Sequence, residues 1–529
     1  MTPRIISLMR NPGISLWRNR IPLAGWTGVV VFALLALRFW HPYYGFTKFI
    51  QIDEADGAVA VRELRERPVY LHPGENGYDA AAYVQIAYHP LLNSEELAPA
   101  IRNVPYRARR ILGSALAWVL SLGDADYIAQ VYAALNLGVW LALAWITWRL
   151  LAVHDWRGWV GWSGFMFSAG ALHAVRLALT DLLAVTLLGA ALLLLERHRS
   201  KLAMAALAAA GLARETGVAC LVIFLRGPWK SSRTWWRLVP RVAIVAAPLA
   251  SWMLYVRWKA GAGDQGFGNF SWPVLAFVEK WGATWSDFGQ HPDFRWLIIS
   301  TFLATAALGA QALYLLLHQR GEDACWRAGI AGVALMAFLG GAVWEGHPGA
   351  ATRVLLPMSL AFAVCAVRYR AGMGWLLAGA LSVMSGILAL WHVPHHPREI
   401  AAGRFAGGAF VARSLEGWYP TERNARRVWA WSSGNATLAL DLWPRSAGLR
   451  AVVVDLRAIA PQRLEIRQGG RMLWQGTIGT ARQKIALEGA HADDGKLRLD
   501  LVSLDPPVAE NSSAGARALS FAVDGVSLR

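Results

Sequence analysis

Residues 127–149, YIAQVYAALNLGVWLALAWITWR, decide the fold class of this chain, because the run carries no charged side chain before Arg149. A helix needs about 20 mainly apolar residues to cross the hydrocarbon core of a bilayer. Arg149 and Arg157 follow this run, and basic residues in such a position favour the cytoplasmic side. The segment is therefore predicted to be a transmembrane helix that ends in the cytoplasm.

Comparable apolar runs fill the first three quarters of the chain. We predict further transmembrane helices over 22–40, 158–175, 178–196, 240–257, 295–317, 328–344, 354–367 and 374–392. The run 111–122 is too short to span, so we interpret it as a helix in the membrane interface. The predicted fold class is an all-α polytopic membrane domain of about 10–11 membrane helices followed by a C-terminal β-sandwich domain.

The apolar stretch 202–226 is interrupted at its centre by Arg214 and Glu215. We interpret it as two short helices that enter and leave the membrane on the same side. A single broken span is the alternative, and it would invert every later span. The positive-inside rule favours the helix pair, because it keeps the basic turns on one side.

The charge distribution predicts the orientation. Residues 1–20 hold four arginines and no acid, so the N-terminus is expected in the cytoplasm. The same side is assigned to the basic residues Arg149, Arg157, Arg197, Arg199, Lys201, Arg226, Lys230, Arg233, Arg237, Arg241, Arg320, Arg327, Arg368 and Arg370. The segments 41–126, 258–294 and the tail from 393 then face outward.

Composition excludes several classes of function. The chain is 55% hydrophobic and 16% charged, whereas soluble domains carry about 25% charged residues. Its net charge is +17, and its arginines and lysines cluster at the ends of apolar runs. This position indicates topology signals and contact with the lipid bilayer rather than nucleic-acid binding. The three cysteines form no CxxC pair, and the P-loop pattern is absent. No metal site is predicted, and a divalent metal cofactor stays open without a motif to support it.

The tail from residue 396 lacks the long apolar runs of the preceding sequence. Segments 435–442, 449–456, 484–488 and 496–503 alternate apolar and polar residues between turn signals. About seven short strands at this spacing predict a β-sandwich. The predicted domains are therefore a transmembrane domain over 1–395, with a large first external loop over 41–126, and an extracytoplasmic β-sandwich over 396–529.

The first external loop contains the chemistry-bearing motif. The run GYDAAAYVQIAYHPLL sets Asp79 among aromatic residues, and YRARRIL follows at 106–112. A carboxylate can take a proton from an acceptor hydroxyl, and arginine can neutralise a phosphate leaving group. Other acids of this loop, among them Asp53 and Asp56, are interpreted as solvated surface.

These two runs resemble the first external loop of bacterial membrane glycosyltransferases with the GT-C fold. The related pattern there is GYDGQFY followed by YR..RIL, and this chain has Ala80-Ala81-Ala82 where Gly-Gln-Phe is common. The resemblance implies many membrane spans, an essential acid in the first extracytoplasmic loop, and a sugar donor on a polyprenyl-phosphate carrier. Residues 417–434 resemble the start of jelly-roll domains appended to such enzymes.

The resemblance also implies site residues. Asp79 would be the general base, with Asp181 assisting, although Asp181 can equally be read as part of a helix N-cap. Substrate contacts are expected from Tyr78, Tyr83, Gln85, Arg107, Arg110, Arg214, Glu215, Glu345, His347 and Arg353. A structural ion pair between Arg214 and Glu215 is the alternative for those two residues.

The leading hypothesis is a membrane glycosyltransferase, a hexosyl- or pentosyltransferase. It would move a sugar from a polyprenyl-phosphate donor to an extracytoplasmic glycan, lipid or protein acceptor, with an inverting or retaining outcome. The location implied is the bacterial inner (cytoplasmic) membrane, with multiple passes. Two alternatives stay open: a transporter or flippase of lipid-linked sugar, and a non-catalytic protein of envelope assembly. The absence of internal repeats and the acids in an external loop favour the enzyme over a transporter.

Overall fold

The computed structural model describes residues 12–225, 232–263, 267–424, 427–510 and 516–529. Predictions about Arg4, Arg10, Arg226 and Lys230 therefore lie outside the described residues. The chain forms two compact units, a helical unit and a strand-rich unit. The helical unit contains Met1–Phe39, Phe49–Arg67 and Asn76–Val393, and the strand-rich unit contains Trp40–Lys48, Pro68–Glu75 and Pro394–Arg529.

The helical unit contains membrane-spanning segments. In the described part of the chain, four helical segments are long and apolar enough to cross a bilayer: Ala125–Leu150, Val239–Ala260, Pro292–Leu317 and Met373–Trp391. The last of them is divided by a turn into the helices Met373–Gly379 and Val383–Trp391. The four segments coincide with four of the predicted spans, and they mark the chain as a membrane protein.

Other predicted spans form shorter helices. The helix that covers the predicted span 22–40 runs from Pro12 to Leu37 and has 26 residues. The shorter apolar helices of 10–17 residues are Ile111–Leu120, Ser200–Ala213, Glu215–Phe224, Ala324–Phe338 and Leu356–Arg368. The predicted span 178–196 is the 16-residue helix Asp181–Glu196. These helices fall below the length of about 20 residues that a straight crossing requires. By length and hydropathy, the described residues therefore contain four membrane-spanning segments, which is fewer than the predicted 10–11 membrane helices.

The predicted span 158–175 is not one continuous helix. This segment is two helices, Trp156–Met166 and Ala169–Arg176. Ser168 separates them, because its side-chain oxygen accepts a hydrogen bond from the Ala171 N–H at 3.4 Å and caps the second helix. The break predicted at Arg214 is present, where the backbone is extended between helices Ser200–Ala213 and Glu215–Phe224.

The segments of the helical unit that are predicted to face outward are also helical. They contain the short helices Glu54–Val59, Arg62–Arg65, Asp79–Tyr88, Leu97–Ala100 and Val104–Ala108. The longer helix Leu275–Gln290 lies in the segment 258–294, for which no helix was predicted. The helices Gly341–Trp344 and Ala351–Val354 precede Leu356–Arg368.

The strand-rich unit is a β-sandwich of two antiparallel sheets. Its strands are β1 Glu399–Phe405, β2 Gly408–Ser414, β3 Glu422–Arg423, β4 Val428–Trp431, β5 Ala436–Trp443, β6 Ala451–Ala458, β7 Gln462–Gln468, β8 Arg471–Ile478, β9 Gln483–Glu488, β10 Lys496–Ser503 and β11 Phe521–Leu528. The six-stranded sheet has the order β8-β7-β10-β5-β2-β1, and the five-stranded sheet has the order β9-β6-β11-β4-β3. The four segments predicted from alternation are β5, β6, β9 and β10. The described residues form 11 strands in the two sheets, more than the prediction of about seven.

Both sheets contribute to one core. Leu438 and Leu440 from β5, and Val452 and Val454 from β6, are completely buried in it. Two segments from within 41–126 belong to this unit, and one of them contributes His41, whose Nε2 lies 2.9 Å from Oε1 of Glu399.

Candidate functional site

Asp79 is the first residue of helix Asp79–Tyr88. The preceding residue, Tyr78, is held by a hydrogen bond from its N–H to the carbonyl of Gln51 at 2.8 Å. A carboxylate at a helix N-terminus is stabilised by the unpaired N–H groups there. The turn therefore fixes the direction in which this carboxylate points.

Two guanidiniums face the Asp79 carboxylate. Arg107 forms an ion pair with its Oδ1 atom, and Nη1 of Arg110 lies 3.8 Å from Oδ2. The Asp79 side chain keeps 28% of its surface exposed, so it is accessible to solvent.

The environment keeps Asp79 ionised. Burial by itself would raise the pKa of the Asp79 carboxyl, but the positive charges of Arg107, Arg110 and Arg353 lower it. The net result is a pKa below the ordinary value. The group is therefore a carboxylate at neutral pH, which is the form that can accept a proton.

Arg110 is the most heavily bonded of these arginines. Its Nε and Nη2 atoms donate to the two oxygens of Glu215 at 2.8 and 2.7 Å, a bidentate pair. Its Nη1 atom donates to the hydroxyl of Tyr83 at 2.8 Å. Only 5% of the Arg110 side chain is exposed. The break after Ala213 thus places Glu215 where it compensates a buried charge from the first loop.

Asp181 forms the second centre. It begins helix Asp181–Glu196, and 2% of its side chain is exposed. It pairs with Arg214, and Nη1 of Arg353 lies 3.7 Å from its Oδ2 atom. Within the described residues neither oxygen accepts a hydrogen bond of good geometry, so the two guanidiniums balance its charge.

One contact joins the two centres. Nη2 of Arg353 donates to the hydroxyl of Tyr78, and the guanidinium lies over the Tyr78 ring, 5.1 Å from its centroid. A Cβ at Gly170 would collide with the carbonyl of Thr352, so the glycine permits the close packing of Ala169–Arg176 beside Ala351–Val354. This packing fixes the backbone from which Arg353 extends.

These residues form one arginine–carboxylate cluster. Its members are Asp79, Asp181, Glu215, Arg107, Arg110, Arg214 and Arg353. Four guanidiniums face three carboxylates, so the cluster carries one net positive charge. Such a site can attract a singly charged anion such as a phosphodiester.

A cavity of about 460 Å³ adjoins Asp79. It is lined by Asp53, Asp56, Asn76, Gly77, Tyr78, Asp79, Ala81, Ala82, Gln85, Ala100, Ile101, Arg102 and Arg107. Its volume is within the range of about 300–1,000 Å³ that small-ligand sites occupy. Asp79 therefore lies between the arginine–carboxylate cluster and an open space.

Three of the expected contact residues stand apart from the cluster. Gln85 lies at the cavity wall, but its amide accepts from the Val61 N–H at 3.0 Å and donates to the carbonyl of Ala81 at 3.0 Å. His347 contacts Asp287 at 3.3 Å, and Glu345 is exposed. Within the described residues, no ion pair or hydrogen bond connects these three side chains to the cluster.

The structure adds Tyr106, which the sequence analysis did not select. Its hydroxyl accepts from Arg110 at 3.4 Å and from the Asn269 side chain at 3.2 Å. The guanidinium of Arg109 lies 4.3 Å from its ring centroid. The sequence feature that could have identified Tyr106 as a site residue is its position as the first residue of the run YRARRIL.

The site combines a carboxylate that can accept a proton with guanidiniums that carry fixed positive charge. Among the described residues, no group of three His, Cys, Asp or Glu side chains is arranged to hold a metal ion. The arrangement can bind an anion at the guanidiniums and accept a proton at Asp79.

Comparisons with known proteins identify no family. No family model and no curated protein match the chain. Among solved structures, arabinosyltransferase EmbB from Mycobacterium smegmatis, a single-particle cryo-EM structure, matches with 11% identity and a TM-score of 0.13. The match covers 100% of this chain and 66% of that one, so this chain spans slightly less than two thirds of that protein's length. A likeness at this TM-score carries no argument about fold or function.

Proposed function

We propose that the chain is a membrane glycosyltransferase of the GT-C type that uses a polyprenyl-phosphate sugar donor. The observation that carries the proposal is the position of Asp79, a partly exposed carboxylate paired with Arg107 and connected through Tyr78 and Arg353 to Asp181. The sequence resemblance of the first loop supports the same function. In this proposal the shorter apolar helices also enter the bilayer, and both the first loop and the β-sandwich face outward.

The reaction follows from the charges. The acceptor hydroxyl oxygen attacks the anomeric carbon and loses its proton to Asp79. The bond between that carbon and the phosphate oxygen breaks, and polyprenyl phosphate leaves with the electron pair. The donor is a phosphodiester with one negative charge, which matches the single net positive charge of the cluster. Arg107, Arg110 and Arg353 hold the phosphate in this scheme.

The experiment measures release of polyprenyl phosphate and transfer of label from radiolabelled polyprenyl-phosphate pentoses and hexoses. Purified wild-type protein in nanodiscs is compared with Asp79→Asn. We expect transfer to fall by about 100-fold or more in the variant, the range for loss of a general base. Asp126→Asn is the matched control, because this first-loop carboxylate is 51% exposed and pairs with Arg67 outside the cluster.

Full activity of a well-folded Asp79→Asn protein would remove the assignment. If the wild-type protein moved intact donor across a vesicle membrane without breaking the glycosyl bond, the flippase alternative would replace the enzyme. The helix break at Arg214 is the feature that such a transporter would use.

A further inference from the structure

The cavity beside Asp79 differs in charge from the arginine–carboxylate cluster. Of the four arginines of the cluster, Arg107 alone is among the lining residues in the described part of the chain, whereas Asp53 and Asp56 add two carboxylates. Arg102 supplies one further positive charge at the wall. An anionic phosphate is therefore favoured on the cluster side of Asp79 and disfavoured in the cavity.

The carboxylates of Asp53 and Asp56 differ in their hydrogen bonding. Asp53 is occupied, because its Oδ1 accepts from the Asp56 N–H at 2.6 Å and its Oδ2 accepts from the Gly77 N–H at 2.9 Å. No hydrogen bond to the Asp56 carboxylate is present among the described residues. Gly77 also keeps this space open, because a Cβ there would collide with the Asp56 carboxylate. Asp56 is thus positioned with acceptor oxygens available to a ligand.

We propose that this cavity is the acceptor subsite and that the acceptor is a neutral, hydroxyl-rich glycan, with Asp56 as a positioning residue. The inference rests on the proposed function, and it selects the glycan from the possible glycan, lipid and protein acceptors. Vicinal hydroxyls of a sugar donate well to an ionised carboxylate, and such hydrogen bonds are stronger than neutral ones. A lipid chain would leave Asp53, Asp56 and Arg102 facing apolar surface, which is costly.

Ala82 sets the size of this subsite. It lies three positions after Asp79 on the same helix, and residues at that spacing share a helix face. Ala81 and Ala82 both line the cavity, and Ala82 is half-buried there. A large side chain at 82 would fill part of the cavity that the glycan would occupy.

The test measures glycan binding separately from transfer. Saturation-transfer NMR on the full-length protein in nanodiscs uses a panel of methyl glycosides and their disaccharides. We expect wild-type protein to bind at least one disaccharide, and Ala82→Phe to weaken that binding by about tenfold or more. Asp56→Asn should weaken it by about tenfold, since one hydrogen bond to a charged group is lost. Glu54→Gln, an exposed carboxylate outside the lining, is the matched control and should bind as wild type.

The outcomes separate the two proposals. If folded Ala82→Phe and Asp56→Asn proteins bind the panel as wild type does, or if wild type binds none of it, the acceptor subsite is wrong. Asp79→Asn should keep binding within about threefold, because the Asp79 carboxylate is already paired with Arg107 and Arg110, whereas the Asp56 carboxylate is not. If that variant keeps full transfer, the proposed catalysis fails whatever the binding results are. Should Ala82→Phe not fold, Asp56→Asn and the smaller change Ala82→Leu decide the question.

Discussion

The Tyr78 hydroxyl accepts a hydrogen bond from Nη2 of Arg353, although 275 positions separate the two residues. Tyr78 directly precedes Asp79, and Arg353 also lies 3.7 Å from Asp181. A single tyrosine therefore holds the guanidinium that stands between the two acids. This arrangement makes the position of Arg353 depend on the first loop.

Tyr78→Phe tests that dependence. The variant keeps the ring beneath the guanidinium and removes the hydroxyl, so Arg353 loses the hydrogen bond that orients its guanidinium. We expect kcat/KM for the polyprenyl-phosphate donor to fall by about tenfold, the equivalent of a hydrogen bond to a charged group. Tyr127→Phe is the control, because Tyr127 is 60% exposed. Unchanged donor kinetics in Tyr78→Phe would show that the contact does not position Arg353.

Arg353 and Arg368 offer a matched pair at the two ends of one segment. Arg353 is 6% exposed and faces Asp181, whereas Arg368 is 33% exposed and pairs with Glu196 and Asp323. Arg353→Gln should abolish measurable transfer, because it removes phosphate binding and leaves Asp181 with one guanidinium. Arg368→Gln should keep transfer within about twofold, since partly exposed pairs contribute only about 0–1 kcal/mol. Equal losses in both variants would point to a shared structural role.

Arg110 and Glu215 form a pair whose loss should affect folding as well as activity. Removing one partner of a buried pair costs about 3–5 kcal/mol, because the other charge is left uncompensated. Arg110→Gln and Glu215→Gln should each lower the thermal midpoint of the protein in detergent. The double variant should lose less stability than the two single losses added together. Strict additivity would mean that the two side chains are not coupled.

The pH dependence follows from the lowered pKa of Asp79. A carboxyl whose pKa is lower in the folded protein stays ionised until pH falls through that value, and its pairing stabilises the fold above the unfolded pKa. The ordinary aspartate value is about 3.9, so Asp79 stays a base from about pH 8 down to about pH 5. We expect kcat/KM to be flat over this range, measured in nanodiscs with the labelled donor. An acidic limb near pH 6 whose midpoint shifts in Asp79→Glu would contradict this assignment.

Local features of the sequence were sufficient for much of the architecture. Uninterrupted apolar runs located the four long helices, and alternation located β5, β6, β9 and β10. The charges at Arg214 and Glu215 marked the break, because unpaired charge is costly inside an apolar run. The segment 158–175 was different, since one serine cap ended a helix that hydropathy alone read as continuous.

The sequence by itself determined that this chain enters a membrane, where its four long helical segments lie, and which side chains carry charge. These properties depend on neighbours along the chain, and hydropathy and charge report them directly. Only the tertiary structure brought Asp79, Glu215 and Arg353 together and turned the Gln85 amide toward backbone groups. Such contacts join positions far apart in the chain, and they depend on how helices pack, which no local pattern specifies.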